Sequence, residues 1–323
     1  MTSHWDELPS TRMERGHIAG DWQSLTGDRS VTTGVKRIRI DAGKWSTPAH
    51  VENSEEEIFY VLAGSGVSWQ NGACYDVGPG DCLVHTAQTE AHTLRAGPDG
   101  LDVLAFGERH LASGARLPRA GVSWGLGSWV RTGAEEDHPW KLEAEAGEPE
   151  VGESVERPAW IVRLEDVPVG ERRFADVASD WRDLGRAAGS ERSGLKHVRV
   201  PPGMLGAAPH CHSAEEEIFV VLEGTGELEL WPAPQSVSAT EREKHAIRAG
   251  SVVARPAGTR VAHSLRAGAD GLAYLAYGTR EPNDLAYYPR SNKIFFRGLG
   301  LIGRLESLEY ADGECGDGEG VEA

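Results

Sequence analysis

The chain repeats itself, and that repetition limits its architecture more than any other feature. HVENSEEEIFYVLAG at residues 50–64 returns as HCHSAEEEIFVVLEG at residues 210–224. GVKRIRI, starting at Gly34, is echoed by GLKHVRV, starting at Gly194, with the same displacement of 160 residues. HTLRAGPDGLDVLAFG, starting at His92, returns as HSLRAGADGLAYLAYG, starting at His263, now displaced by 171. The extra residues fall mostly in WPAPQSVSATEREK (231–244), a longer loop of the second copy. An insertion at a loop with both flanks in register is what a duplicated unit tolerates.

A length of 323 residues accommodates two units of ordinary domain size, each large enough for its own core. We place an N-terminal barrel at 1–130, an acidic connection at 131–158, a C-terminal barrel at 159–305 and an acidic, Gly-rich tail at 306–323, mobile or lying on the surface as a strap. Within these bounds the periodicity is that of strands. KRIRI, EEIFYVL, HVRV, EEIFVVL and GELELW are short, β-rich and bounded by Gly, Pro or Asp. Helical signals are weak, at HWDELPSTRMERG and DWRDLGRAAG. The expected class is all-β, with two tandem antiparallel jelly-roll barrels.

Composition excludes several roles. A formal net charge of −17 argues against nucleic acid and anionic membrane surfaces, which require clustered Lys and Arg. No apolar run approaches the roughly 20 residues of a membrane span, and the N-terminus has no apolar core of a secretory signal. Four scattered cysteines form neither a disulfide framework nor a CxxC zinc pattern. A cytoplasmic protein acting on a small molecule is the simplest expectation.

The chemistry lies in HCH. Residues two apart on a strand share a face, so His210 and His212 can converge on one ion while Cys211 points away. Glu217 then enters from the next strand, with Phe219 and Val221 on its face as an apolar wall, and His263 arrives from a strand distant in sequence. Three imidazoles and a carboxylate suit Fe, Mn, Ni, Co or Zn without choosing among them. In the first copy His50, Glu57 and His92 match, but Glu52 stands where the second histidine belongs. Either these two imidazoles and two carboxylates hold a harder ion such as Mn or Fe, or the site has lost its metal and become structural.

These residues resemble the two motifs of the cupins, and the doubling resembles a bicupin. His210, His212, Glu217 and Gly224, with Gly203 upstream, occupy the first motif; Gly250, Pro256, Gly258 and His263 occupy the second. Thr86 and Gln88 stand where the first copy would carry the proline and glycine of the second motif. The resemblance implies double-stranded β-helix barrels and a metal-dependent reaction, foremost a dioxygenase-type oxidation of a small oxygen-chelating substrate at the C-terminal barrel. It equally admits a metal-dependent decarboxylase or isomerase of a small carboxylate or sugar acid, or a non-catalytic ligand- or metal-binding protein. Cupins commonly pair through barrel edges, so a monomer mimicking a dimer, or a homodimer, is expected.

Other features receive plainer readings. In each triple glutamate, Glu57 or Glu217 is expected to point inward and its neighbours into solvent. GSG at Gly64 and GTG at Gly224 have no helix or GK[ST] behind them and read as hairpin turns. His85 reads as a hydrogen-bonded barrel histidine, and the ten tryptophans as core and inter-barrel packing.

Overall fold

The computed structural model describes residues 2–110, 113–125, 128–129, 139–233, 241–306, 308 and 312. The first repeat contains β2 (Thr11–Arg15), β3 (Ile18–Ser24), β4 (Thr33–Ile40), β5 (Val51–Glu52), β6 (Glu57–Gln70), β7 (Ala73–Val77) and β8 (Asp81–His85). It continues with β9 (His92–Glu108), β10 (Gly114–Leu117), β11 (Val122–Gly125) and β12 (Ser128–Trp129). The second repeat runs through β14 (Val169–Phe174), β15 (Val177–Asp183), β16 (Ser193–Val200), β17 (Cys211–His212), β18 (Glu217–Pro232) and β19 (Glu243–Arg248). It ends with β20 (Ser251–Arg255), β21 (Val261–Thr279), β22 (Leu285–Tyr288), β23 (Lys293–Phe296) and β24 (Leu301–Arg304). Two short strands, β1 (Thr2–His4) and β13 (Ile161–Arg163), precede the repeats.

Each repeat folds into an eight-stranded antiparallel sheet and a four-stranded one, the jelly-roll arrangement expected of alternating, turn-bounded strands. The leading strands are exchanged. β1 pairs with β20 in the second repeat, and β13 pairs with β8 in the first. Each unit therefore completes the edge of the other, which removes two open strand edges.

The face between the units is apolar. Ile58, Tyr60, Leu104 and Phe106 of the first repeat form one cluster with Ile218, Val220, Leu275 and Tyr277 of the second. Phe106 and Tyr277 meet at 5.1 Å between ring centroids. The runs IFYVL and IFVVL are apolar at every position because one face packs inside its own unit and the other against the neighbour. Val61 and Val221 accordingly lie in separate interior clusters.

The same interface corrects the reading of the glutamates. Glu216 is buried, accepting from Ser30 Oγ at 2.5 Å, the Thr32 backbone N–H at 2.8 Å and Thr32 Oγ1 at 2.6 Å. Its counterpart Glu56 accepts from Ser190 Oγ at 2.7 Å and Ser193 Oγ at 2.5 Å. Each carboxylate reaches into the opposite repeat rather than into water.

Gly64 and Gly224 are also not hairpin turns. They lie within β6 and β18 at register shifts, with φ of +82° in both. A Cβ there would sit 2.2 Å from the carbonyl oxygen of Gly100 or Gly271, so only glycine fits the bulge. The weak helical signals resolve differently: in the first, Trp5–Glu7 is a turn of 3-10 helix and TRMER is β2, and within DWRDLGRAAG only Leu184–Ala187 is helical. The acidic connection holds a helix, Pro139–Glu145, whose Glu143 is buried and accepts from Arg119 Nη1 at 2.7 Å. Trp140 of this helix meets Trp22 at 6.0 Å. Of the acidic tail after Glu306, only Leu308 and Asp312 lie among the described residues. Cys74, Cys82 and Cys211 are buried free thiols, and no helix among the described residues is long and apolar enough to cross a membrane.

Candidate metal centres

In the second repeat, His210 and His263 are mutual backbone partners, with N–O distances of 3.2 and 2.9 Å, so their side chains rise together. His212 sits on β17, held by β22, and Glu217 opens β18. Glu217 Oε2 is the meeting point. It lies 2.9 Å from His263 Nε2, 3.3 Å from His212 Nε2 and 3.6 Å from His210 Nε2. His210, Glu217 and His263 offer ligand atoms that all lie within 4.8 Å of one another, and His212 joins them through Glu217.

The far nitrogens set the tautomers. His210 Nδ1 donates to the Ala208 carbonyl at 2.7 Å, and His212 Nδ1 donates to Asp284 Oδ2 at 2.7 Å. Both rings therefore turn Nε2 toward Glu217, and His212 Nε2 is buried without a hydrogen-bond partner. A buried imidazole nitrogen aimed at a carboxylate among two further imidazoles suits a divalent transition metal. Cys211 belongs to no such cluster among the described residues.

Asp284 carried no motif. It is buried and accepts at Oδ1 from the backbone N–H groups of Ser213, Ala214 and Glu215, at 3.1, 3.0 and 3.2 Å. Burial alone would raise its pKa, but the His212 hydrogen bond and these donors hold it well below the usual range. Burial likewise opposes ionisation of Glu217, yet His212 and His263 keep it well below the usual carboxylate range. Burial pushes His263 down to about 3, whereas at His212 the carboxylates of Glu217 and Asp284 overcome burial and raise it to about 10. A metal taken up at His212 would compete with a proton for that ring.

The first repeat places His50, Glu57 and His92 together in the same way, with His92 Nε2 3.0 Å and His50 Nε2 3.4 Å from Glu57 Oε2. Glu52 reaches His50 Nε2 at 3.4 Å. Burial, opposed by the His50 hydrogen bond and joined by repulsion from Glu57, raises the Glu52 pKa. His85 donates Nδ1 to Glu90 at 2.8 Å and stacks flat on His92 at 3.8 Å between ring centroids. Arg255 occupies the corresponding position opposite Glu217. Trp124 stacks 6.5 Å over His50, so this tryptophan lies against the ligand cluster rather than between the units.

The second cluster opens into a cavity of about 540 Å³. Phe219, Tyr274 and Trp181 supply apolar wall, and Tyr288 stacks on His210 at 5.6 Å between ring centroids. Arg172, Lys196, Lys293 and Arg297 add cations to the lining. Arg297 is paired with Glu215, which burial raises to about 7 despite that partner.

The cupin domain family matches residues 36–104. No curated protein matches significantly. Among solved structures, oxalate decarboxylase from Bacillus subtilis, studied for its Mn(II) centres, superposes with a TM-score of 0.57 at 18% identity, covering 86% of this chain and 76% of its own. The formate complex of oxalate decarboxylase from Lactobacillus farciminis superposes with a TM-score of 0.58 at 15% identity, covering 88% of this chain and 87% of its own. At that identity the likeness is one of fold.

Proposed function

We propose that this chain, a member of the cupin superfamily with two cupin units, is a metal-dependent lyase that removes carbon dioxide from a small carboxylate at its second unit. The observation that carries the reading is a cavity floored by His210, His212, Glu217 and His263 and lined by cations. Such a lining suits an anion such as a small carboxylate. The similar folds of decarboxylases support the same choice, and the dioxygenase expectation has no comparable support.

His210, His212, Glu217 and His263 hold the ion in this reading, and a bound divalent ion supplies Lewis acidity and, if redox-active, one-electron chemistry. The protein's own residues orient the anion and exclude water through Phe219 and Tyr274. Loss of carbon dioxide leaves a carbon that must gain a proton. Among the described residues Glu217 is the sole carboxylate of the lining, and in this reading it is a ligand. Tyr288, stacked on His210, then supplies the proton; burial raises its pKa, which keeps the phenol protonated near neutrality.

The test is to load the protein with Mn(II), offer small carboxylates including oxalate, and follow carbon dioxide and dissolved oxygen together. Product release without net oxygen uptake is expected. Stoichiometric oxygen consumption returns the dioxygenase reading, and saturable binding without turnover makes the chain a binding protein. Tyr288→Phe should lower kcat while leaving metal content intact; an unchanged kcat removes Tyr288 as the donor.

A further inference from the structure

The two units differ in charge where they differ in ligands. Arg172 pairs with Ser179 on β14 and β15, where the first repeat pairs Met13 with Gly20. Lys293 faces Tyr288 across the β22–β23 hairpin, where the first repeat sets Val122 against Leu117. Two cations of the second cavity thus replace apolar residues of the first unit. Lys196 carries no such contrast, since Lys36 holds its place on β4.

Neither cation has a carboxylate within ion-pair distance among the described residues. Arg172 lies over the Trp181 ring at 5.0 Å and donates to the Gly206 carbonyl at 3.4 Å. Lys293 Nζ lies 5.6 Å from the Tyr288 ring centroid. In a chain with 50 acidic and 33 basic side chains, two unpaired cations lining one cavity call for an anion brought by the ligand.

The cavity favours a ligand with some length. Tyr288 stacks on His210 at the ligand cluster, and Lys293 Nζ lies 5.6 Å from the centroid of that same ring, so the cation neighbours the residue that flanks the cluster. A cavity of about 540 Å³, walled by Phe219, Tyr274 and Trp181, leaves room for a carbon body between two anionic ends.

We propose that the second unit selects a dicarboxylate longer than oxalate, with one carboxylate at the His210–His212–Glu217–His263 cluster and the other between Arg172 and Lys293. The inference rests on the ligand assignment made above, and it is tested by binding, so that it stands or falls apart from decarboxylation.

The experiment is calorimetry on zinc-loaded full-length protein with adipate, hexanoate and oxalate. Adipate should bind at least tenfold more tightly than hexanoate, a charge-assisted contact being worth that much or more, and more tightly than oxalate. Arg172→Met combined with Lys293→Val, which installs the first unit's residues, should abolish the adipate preference, bringing adipate down to the affinity of hexanoate, while zinc content stays unchanged. Equal affinities of adipate and hexanoate for the parent protein, absence of adipate binding, or a preference that survives the double substitution overturns the proposal. If the two changes also release zinc, Arg172→Gln alone, which removes the charge but keeps a polar side chain, should still reduce the preference; no reduction overturns it. Selective adipate binding without carbon dioxide release would sink the lyase reading and leave this one intact.

Discussion

Asp284 Oδ2 holds His212 Nδ1 at 2.7 Å while its other oxygen collects the backbone N–H groups of residues 213–215. One buried carboxylate thereby fixes both the turn that joins β17 to β18 and the tautomer of a histidine on the first of them. A neutral acceptor in its place loosens the ring and lowers the basicity of Nε2. Asp284→Asn should weaken metal affinity tenfold to a hundredfold, measured by competition with a chelator, and leave the far-ultraviolet spectrum unchanged. Undiminished affinity would show that the carboxylate serves the turn alone.

The first unit lacks this support. Ser113 occupies the position of Asp284, as Glu52 occupies that of His212, by the 171- and 160-residue displacements of the repeats. Glu52→His alone would install an imidazole with no carboxylate to orient it. The double change Glu52→His with Ser113→Asp should raise metal occupancy of the first unit well above that of the single change, read by elemental mass spectrometry on protein in which His212→Ala disables the other cluster. Equal occupancy of the single and double variants would end the claim that the pair works as a unit.

The repeat and the strand class were legible because both rest on local patterning. The shared face of His210 and His212 was equally legible, since parity on a strand dictates which side chains point together. Asp284 was not, because its partner lies 72 residues away and no local spacing marks it. Comparison of the repeats held the signal: where His212 becomes glutamate, Asp284 becomes serine. Glu56 and Glu216 were misread for a related reason. Parity does turn them away from their own unit, but that outer face is covered by the other unit, as the uninterrupted runs IFYVL and IFVVL already implied. The bulges at Gly64 and Gly224 looked like turns because glycine serves both.

Covering that face makes the two units depend on each other. Glu216→Gln leaves one oxygen to accept and turns an amide N–H₂ toward the Thr32 and Ser30 donors, so at least one buried hydrogen bond is replaced by a donor–donor clash. A loss of about 1–3 kcal/mol is expected, lowering the unfolding midpoint by a few degrees. The shared core of Ile58, Phe106, Ile218 and Tyr277 should keep the variant unfolding in one transition. A second transition in calorimetry would mean that the units fold independently and that the glutamates merely dock them.

Acid should destabilise the protein through a histidine remote from either cluster. His197 is buried on β16, and burial, aided by the nearby Arg199 and Arg182 and opposed by Glu223, lowers it from 6.5 to about 4. The unfolded chain binds this proton first as the pH falls, so between those two values the unfolded state carries more protons than the folded one. Stability contributed by the neutral ring is then complete above 6.5 and is lost as the pH drops toward and through 4. His197→Gln keeps a polar side chain and removes the titration. Urea midpoints at pH 7, 5.5 and 4 should fall less steeply in the variant than in the parent, with the difference confined to this window because both proteins share every other titrating group. Parallel slopes would mean that the ring is hydrated in the folded state and that the acid sensitivity lies at the metal ligands.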